Sequence, residues 1–147
     1  MKAITIRQPW ARLVAEGIKD VENRPNNWLH RGRIAIHSSQ TTDWGAFHDE
    51  QVQRATGLPA GTLALGGTRW RHGHVIGVAF LADTHRSKAG CCTSTWAQPD
   101  ARWHLRFHSA VLLTLPVWCQ GQLGLWDLPE RVDIEVIRQL GEMGAAS

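Results

Sequence analysis

Apolar and polar positions set out a mixed chain. Ile4 and Ile6 bracket Thr5 with the two-residue period of a short strand. Trp10, Leu13 and Val14 then fall at i, i+3 and i+4, the stripe of a helix with one buried face. Pro9 suits the first helical position, where no N–H is needed, and Gly17 stands where a terminal cap glycine belongs. Pro25-Asn26-Asn27 is turn chemistry. In a second main strand from Gly32, Ile34 and Ile36 face the core, with Arg33, Ala35 and His37 on the other side. Thr41-Thr42-Asp43 predicts a second helix start; Trp44, Phe47, Gln51, Val52 and Ala55 keep a loose helical period that Gly57 ends. Leu58 to Gly67 reads as loop. Val75 to Ala82 is an apolar strand interrupted by Gly77. From Asp83 to Arg102 there is little periodicity, which predicts a long, mobile loop. Trp103, Leu105 and Phe107 alternate with polar residues as a half-exposed strand. A further strand covers Ala110 to Val117, broken at Pro116. After the turn Gly121 to Gly124, Leu125 to Leu128 closes the sheet. A last helix starts at Pro129, with Val132, Val136, Ile137 and Leu140 as its stripe and Gly141 as its end. The expectation is one α+β domain over 1–141, with about three helices and a frayed tail at 142–147.

Composition narrows this picture. The chain has 147 residues, close to the commonest domain size, and is 43% hydrophobic and 20% charged. No apolar run is long enough to span a membrane, and the N-terminus lacks a basic region followed by an apolar signal core, so the expected compartment is the cytoplasm. Of three cysteines, Cys91 and Cys92 are adjacent and Cys119 is distant, which is no disulfide framework. His72-x-His74 and Cys91-Cys92 match no zinc finger or ribbon spacing, and no second ligand pair stands at a fixed offset. Neither a metal nor a cofactor is therefore expected. The Gly-x-Ser-x-Gly elbow and the phosphate-cradling Gly-x-x-x-x-Gly-Lys-Ser/Thr loop are both absent.

Charge and aromatic content lean toward polyanions. The net charge is +3, and there are eight Trp against three Phe and no Tyr. Some tryptophans belong to the core and others can stack bases. Arg69-Trp70-Arg71 is the most concentrated basic-aromatic run. It can meet phosphates through Arg69 and Arg71 and a base through Trp70; the alternative is a solvated hairpin tip with one buried Trp.

A second polar cluster follows Gly17. Lys19 and Glu22 share a face in a helical turn, and Glu22 and Arg24 share one in a strand. A turn that passes into a strand near Val21 aims all three at one place. Pro25 favours this by biasing Arg24 toward extended backbone. Two readings stand: a binding or catalytic cluster, or a structural ion pair at the helix exit.

These residues also carry a resemblance. Gln8-Pro9-Trp10, Gly17-x-Lys19-x-x-Glu22-x-Arg24 and Ile36-His37-Ser38-Ser39 resemble the ASCH (ASC-1 homology) domains. Trp103-x-Leu105, Leu115-Pro116 and Gly121-x-x-Gly124-x-Trp126-x-Leu128-Pro129 are similar to that family's closing strands. The resemblance implies a small PUA-like β-barrel, with the 83–102 loop over one mouth and a cavity lined by the Lys-Glu-Arg motif. It implies binding of RNA, single-stranded nucleic acid or a modified nucleoside by Gln8, Trp10, Lys19, Glu22, Arg24, His37 and Ser38. There Lys19 and Arg24 would hold phosphate or a carbonyl, Glu22 would accept from an exocyclic amine and Trp10 would form a wall. Some relatives are amidohydrolases acting on acylated cytidine, and others have been assigned ribonuclease activity. Lys19, Glu22 and Arg24 would then be catalytic. The amidohydrolase branch, however, carries its threonine nucleophile where this chain has Glu22, and its later acidic residue matches nothing better than Asp83. A protein-interaction adaptor is the third reading.

Overall fold

The computed structural model describes residues 1–145, apart from the side chain of Thr68. Six strands form one sheet: β1 (Lys2–Gln8), β2 (Val21–Arg24), β3 (Gly32–Thr42), β4 (His74–Arg86), β5 (Trp103–Trp118) and β6 (Leu125–Asp127). Their spatial order is β2-β5-β4-β3-β1-β6. Only β1 and β3 run parallel, with Ile4 opposite Ile36; the other pairs are antiparallel. Among the described residues there are four α-helices: α1 (Trp10–Ala15), α2 (Glu50–Thr56), α3 (Ala60–Ala64) and α4 (Glu130–Ala145). The class is α+β. The sheet curls like a barrel without closing its ladder. The edge strand β2 comes round to β1, where Arg24 Nη2 donates to the Thr5 carbonyl at 2.9 Å.

Both faces of the sheet are covered. Inside the curl, Ile4, Ile6, Ile34, Ile36, Leu81 and Leu105 pack with Val14 and Ala15 of α1. On the outer face Ala3, Ala35, Val75 and Trp126 pack beneath Val132 and Val136 of α4. The central strand β3 is therefore buried on both sides, including Ala35 and His37. A third cluster joins Leu13, Phe47, Val52, Leu63 and Trp70 over α1. Full burial of side chains such as Leu13 or Ile36 contributes about 1.5–3 kcal/mol each.

Helix α1 is too short to be stable alone, so packing must hold it. Gly77 gives it a seat. A Cβ there would lie 2.7 Å from Ala15 Cβ and 2.8 Å from the Val111 carbonyl oxygen. Gly17, at φ +75°, turns the chain out of the helix, and the Ile18 and Lys19 amides both donate to the Leu13 carbonyl.

Several expectations need correcting. The second helix divides: Trp44–His48 is a 3-10 turn, and Asp49 caps α2 by accepting from the Gln51 and Val52 amides. The loop after Gly57 contains α3, which makes four helices instead of about three. The two strands placed at 103–108 and 110–117 are one, which bends at Ser109 (φ +50°) and runs through Pro116. Strand β4 continues to Arg86, opposite Trp103, so the long loop is 87–102. In α4, Gln139 is buried, and its amide bonds both the amide and the carbonyl of Leu115; Ile137 faces solvent. That helix passes Gly141 and reaches Ala145, and the rest of the supposed tail lies outside the described residues.

Candidate functional site: a cavity at the seam of the sheet

The seam between β1 and β2 holds a cavity of about 360 Å³. Thr5 to Arg7 of β1 line one side, Glu22 to Arg24 of β2 the other, and Trp10 and Lys19 lie at the two ends of the α1 segment. The turn after Gly17 passes into β2 at Val21, and this brings Lys19, Glu22 and Arg24 together. Lys19 Nζ is 2.7 Å from Glu22 Oε2 and also donates to the Val21 carbonyl. Arg24 Nε lies 3.2 Å from Glu22 Oε1, an ion pair without the alignment of a hydrogen bond. Glu22 thus holds one cation on each oxygen. Lys19 is only 4% exposed and stands 5.8 Å from the centre of the Trp10 ring. Arg24 keeps more solvent contact and lies 5.8 Å from the Trp28 ring. This cluster has one cation more than it has carboxylates, but over the whole lining Arg7, Lys19 and Arg24 are balanced by Glu22, Asp43 and Asp49.

The remaining wall comes from elsewhere. Asp43, just after β3, accepts from Trp10 Nε1 at 3.1 Å and pairs with Arg7 at 3.3 Å. The 87–102 loop crosses the opening and contributes Thr95, Trp96 and Gln98. Asn23 fastens it with both ends of its amide, donating to the Trp96 carbonyl (2.9 Å) and accepting from the Gln98 amide (3.0 Å). Gln51 donates to Thr95 at 2.9 Å, and Ser94 bonds Asp20. Trp96 meets Trp10 edge-on, with ring centres 6.2 Å apart.

Other expected site residues lie away from this cavity. Gln8 is fully buried and joins the Arg71 carbonyl to the Arg12 amide. His37 donates from Nε2 to the Cys119 carbonyl, and the Ser38 hydroxyl donates to the His74 carbonyl. Trp70 is a core residue whose Nε1 donates to the Leu63 carbonyl at 2.7 Å, so its ring offers no open face to a base. Arg69 pairs with Glu16 at 3.2 Å and covers that ring; Arg71 is exposed. Sequence reasoning missed Asn23, Trp96 and Gln98, which carry no periodic or motif signal, and read Asp43 only as part of a helix start.

Cys91 and Cys92 also gain a different setting. His72 and His74 do not join them, but His85 and His104 do, so a second ligand pair exists in space. The hydrogen bond at Lys88, ahead of those from His85 and His104, pulls the Cys91 thiol down to about 6. Burial and the Cys91 neighbour push Cys92 up. Asp83 sits here as a partner of His85 and does not line the cavity.

The sequence model of the ASCH domain matches residues 4–107. The chain belongs to the ASCH domain family. A crystal structure of ASCH from Zymomonas mobilis superposes with a TM-score of 0.56 at 12% identity, covering 93% of each chain. A tyrosine-to-phenylalanine mutant of the same Zymomonas mobilis protein gives 0.55 at 13% identity, over 93% of this chain and 96% of that one. A serine-to-alanine mutant of it gives 0.54 at 13%, over 93% and 94%. At that identity the likeness establishes the shared fold. No curated protein matches the chain. In this ASCH domain the family segment contains most of β1, all of β2 to β4 and the start of β5, and so the whole of the cavity wall. No helix among the described residues is long and apolar enough to cross a membrane.

Proposed function

We propose that this ASCH domain binds a nucleotide unit, either a nucleoside phosphate or one base of single-stranded RNA, in the seam cavity. The observation that carries the reading is the convergence of Lys19, Glu22 and Arg24 on a cavity walled by Trp10 and Trp96. A volume of about 360 Å³ falls within the range of small-molecule sites. Tryptophan faces suit any base, and a guanidinium suits phosphate or a carbonyl edge. Arg24 uses Nη2 on Thr5 and turns Nε to Glu22, which leaves donors for a ligand. Lys19 spends two of its three donors on Glu22 and Val21; it fixes the carboxylate and supplies charge. Gln51 and Gln98 place amides around the same space and can read a base edge.

The hydrolase reading finds less support. Glu22 has both oxygens engaged by cations, and Asp83 is absent from the lining. Binding is therefore the function assigned.

The test is fluorescence anisotropy with labelled cytidine monophosphate and a short single-stranded RNA at low and high salt. Arg24→Lys keeps the charge and loses the planar fork, so affinity should fall about tenfold or more while the thermal midpoint holds. Arg69→Ala should leave affinity unchanged, since that guanidinium is committed to Glu16. Incubation of the protein with N4-acetylcytidine should release no cytidine. The reading fails if neither probe binds at low salt, or if Arg24→Lys binds as tightly as the parent.

A further inference from the structure

The 87–102 loop carries a second cluster that the cavity does not use. His85 is the last residue but one of β4, His104 is the second of β5, and the two are direct cross-strand partners in the ladder. The loop brings Cys91 and Cys92 back over this pair. One ligand atom from each of the four residues lies within 4.8 Å of the others.

Among Cys91, Cys92 and His104 the distances match one geometry. A tetrahedral zinc ion with Zn–S near 2.3 Å and Zn–N near 2.0–2.1 Å holds two sulfurs about 3.8 Å apart, and sulfur and nitrogen about 3.6 Å apart. Here the Cys91 and Cys92 sulfurs are 3.8 Å apart. His104 Nδ1 lies 3.3 Å from Cys91 Sγ and 3.6 Å from Cys92 Sγ. The histidine rings stand at 90° to each other, with centres 5.4 Å apart.

The outer contacts of the histidines point the same way. Asp83 Oδ2 accepts from His85 Nδ1 at 2.6 Å, which puts the proton on Nδ1 and leaves a lone pair on Nε2. That Nε2 is buried and makes no well-aligned hydrogen bond, the Cys91 thiol being its polar neighbour on this side. The Gln98 carbonyl accepts from His104 Nε2 at 2.8 Å, which leaves the lone pair on Nδ1, facing the sulfurs. Carboxylate and carbonyl partners of this kind orient metal-bound imidazoles. A buried nitrogen that faces only a weakly bonding thiol is costly in a purely structural cluster. A metal ion would remove that cost.

We propose that His85, Cys91, Cys92 and His104 form a structural zinc site that fastens the 87–102 loop to the β4–β5 hairpin. Two thiolates and two neutral imidazoles suit zinc, and their charges cancel that of the ion. Binding releases the thiol protons to solvent and changes no oxidation state. All four coordination positions are filled by protein, so the site is closed and holds no reacting water. Gln98 links the two regions: its carbonyl holds His104, and its side lines the nucleotide cavity. The inference stands on the cluster alone and does not depend on what the cavity binds.

The test uses the full chain, reduced, loaded with excess zinc and desalted. Elemental analysis should find about one zinc per chain. Replacement by cobalt(II) should give the ligand-field bands of a tetrahedral site together with thiolate-to-cobalt charge transfer. In Cys91→Ser/Cys92→Ser the metal should fall below about one tenth per chain. Cys119→Ser, away from the cluster, should retain it. The cobalt spectrum of the parent chain decides the matter even if the double variant misfolds. The proposal is overturned if the parent chain keeps no zinc, if its cobalt form lacks thiolate charge transfer, or if the folded double variant keeps its metal.

Discussion

His37 shows how one motif residue can serve the fold. Its ring is 1% exposed, with Nε2 bonded to the Cys119 carbonyl at 3.0 Å and Nδ1 buried without a partner. It meets Trp126 edge-on at 5.6 Å, and a Cβ on Gly121 would come within 2.5 Å of its Cε1. The ring thus seats the 119–124 turn and β6 against β3. Burial, with the charge of nearby His74 adding to it, lowers the His37 pKa below its ordinary 6.5, although the Cys119 carbonyl opposes the shift. The unfolded chain then binds a proton more readily than the folded one. His37 contributes full stability above pH 6.5 and loses it as pH falls from there toward the lowered folded value. Thermal unfolding between pH 7.5 and 5 should show this decline, and His37→Gln should flatten it while lowering stability by about 1–3 kcal/mol at neutral pH. An equally steep decline in the variant would refute the assignment. The strand period made His37 legible as an alternate-face residue, but not its burial, because the cover over that face comes from distant parts of the chain.

At the scale of elements, glycine separates what was legible from what was not. Gly17 after a clear apolar stripe correctly marked the end of α1. Gly77 marked an interruption, but its reason is the close approach of Ala15, a contact with no local signature. Gly141 misled: it lies within α4, with open space around its Cα, because docking of Val132 and Val136 outweighs the low helix propensity of glycine. The two positions should respond in opposite senses. Gly77→Ala should cost about 1–3 kcal/mol by forcing α1 from the sheet, and Gly141→Ala should add up to about 1 kcal/mol. Urea unfolding of both variants measures this. Loss of stability in Gly141→Ala would mean that the glycine does end the helix. The split of 44–56 and the short α3 were illegible for a related reason. Each is too short to show a period, and each is held by the cluster around Phe47 and Leu63.

For the whole molecule, the candidate site follows from how the sheet fails to close. The Lys19, Glu22 and Arg24 side of the cavity was readable because one continuous stretch, β1 to β2, carries it. The opposite side was not, since Asp43, Gln51, Trp96 and Gln98 come from segments that only tertiary contacts bring to the seam. The 83–102 stretch read as a mobile loop because it lacks periodicity; in the structure its first residues belong to β4, and the order of the rest comes from side-chain hydrogen bonds. Asn23 is the hinge of this arrangement, for it leaves β2 beside the ion-pair cluster and grips the loop at Trp96 and Gln98. Asn23→Ala removes both bonds and leaves the Trp96 carbonyl and the Gln98 amide without their partner. The loss should be confined to the loop, because β2 keeps its ladder to β5 through Glu22 and Arg24. The expected result is faster cleavage within 87–102 in limited proteolysis, a thermal midpoint within a few degrees of the parent, and nucleotide affinity lowered about tenfold as Trp96 leaves the wall. Mass mapping of the first cleavage site, with anisotropy on the same samples, reads both effects. First cleavage outside 87–102, or an unchanged cleavage rate, would show that the loop does not depend on Asn23.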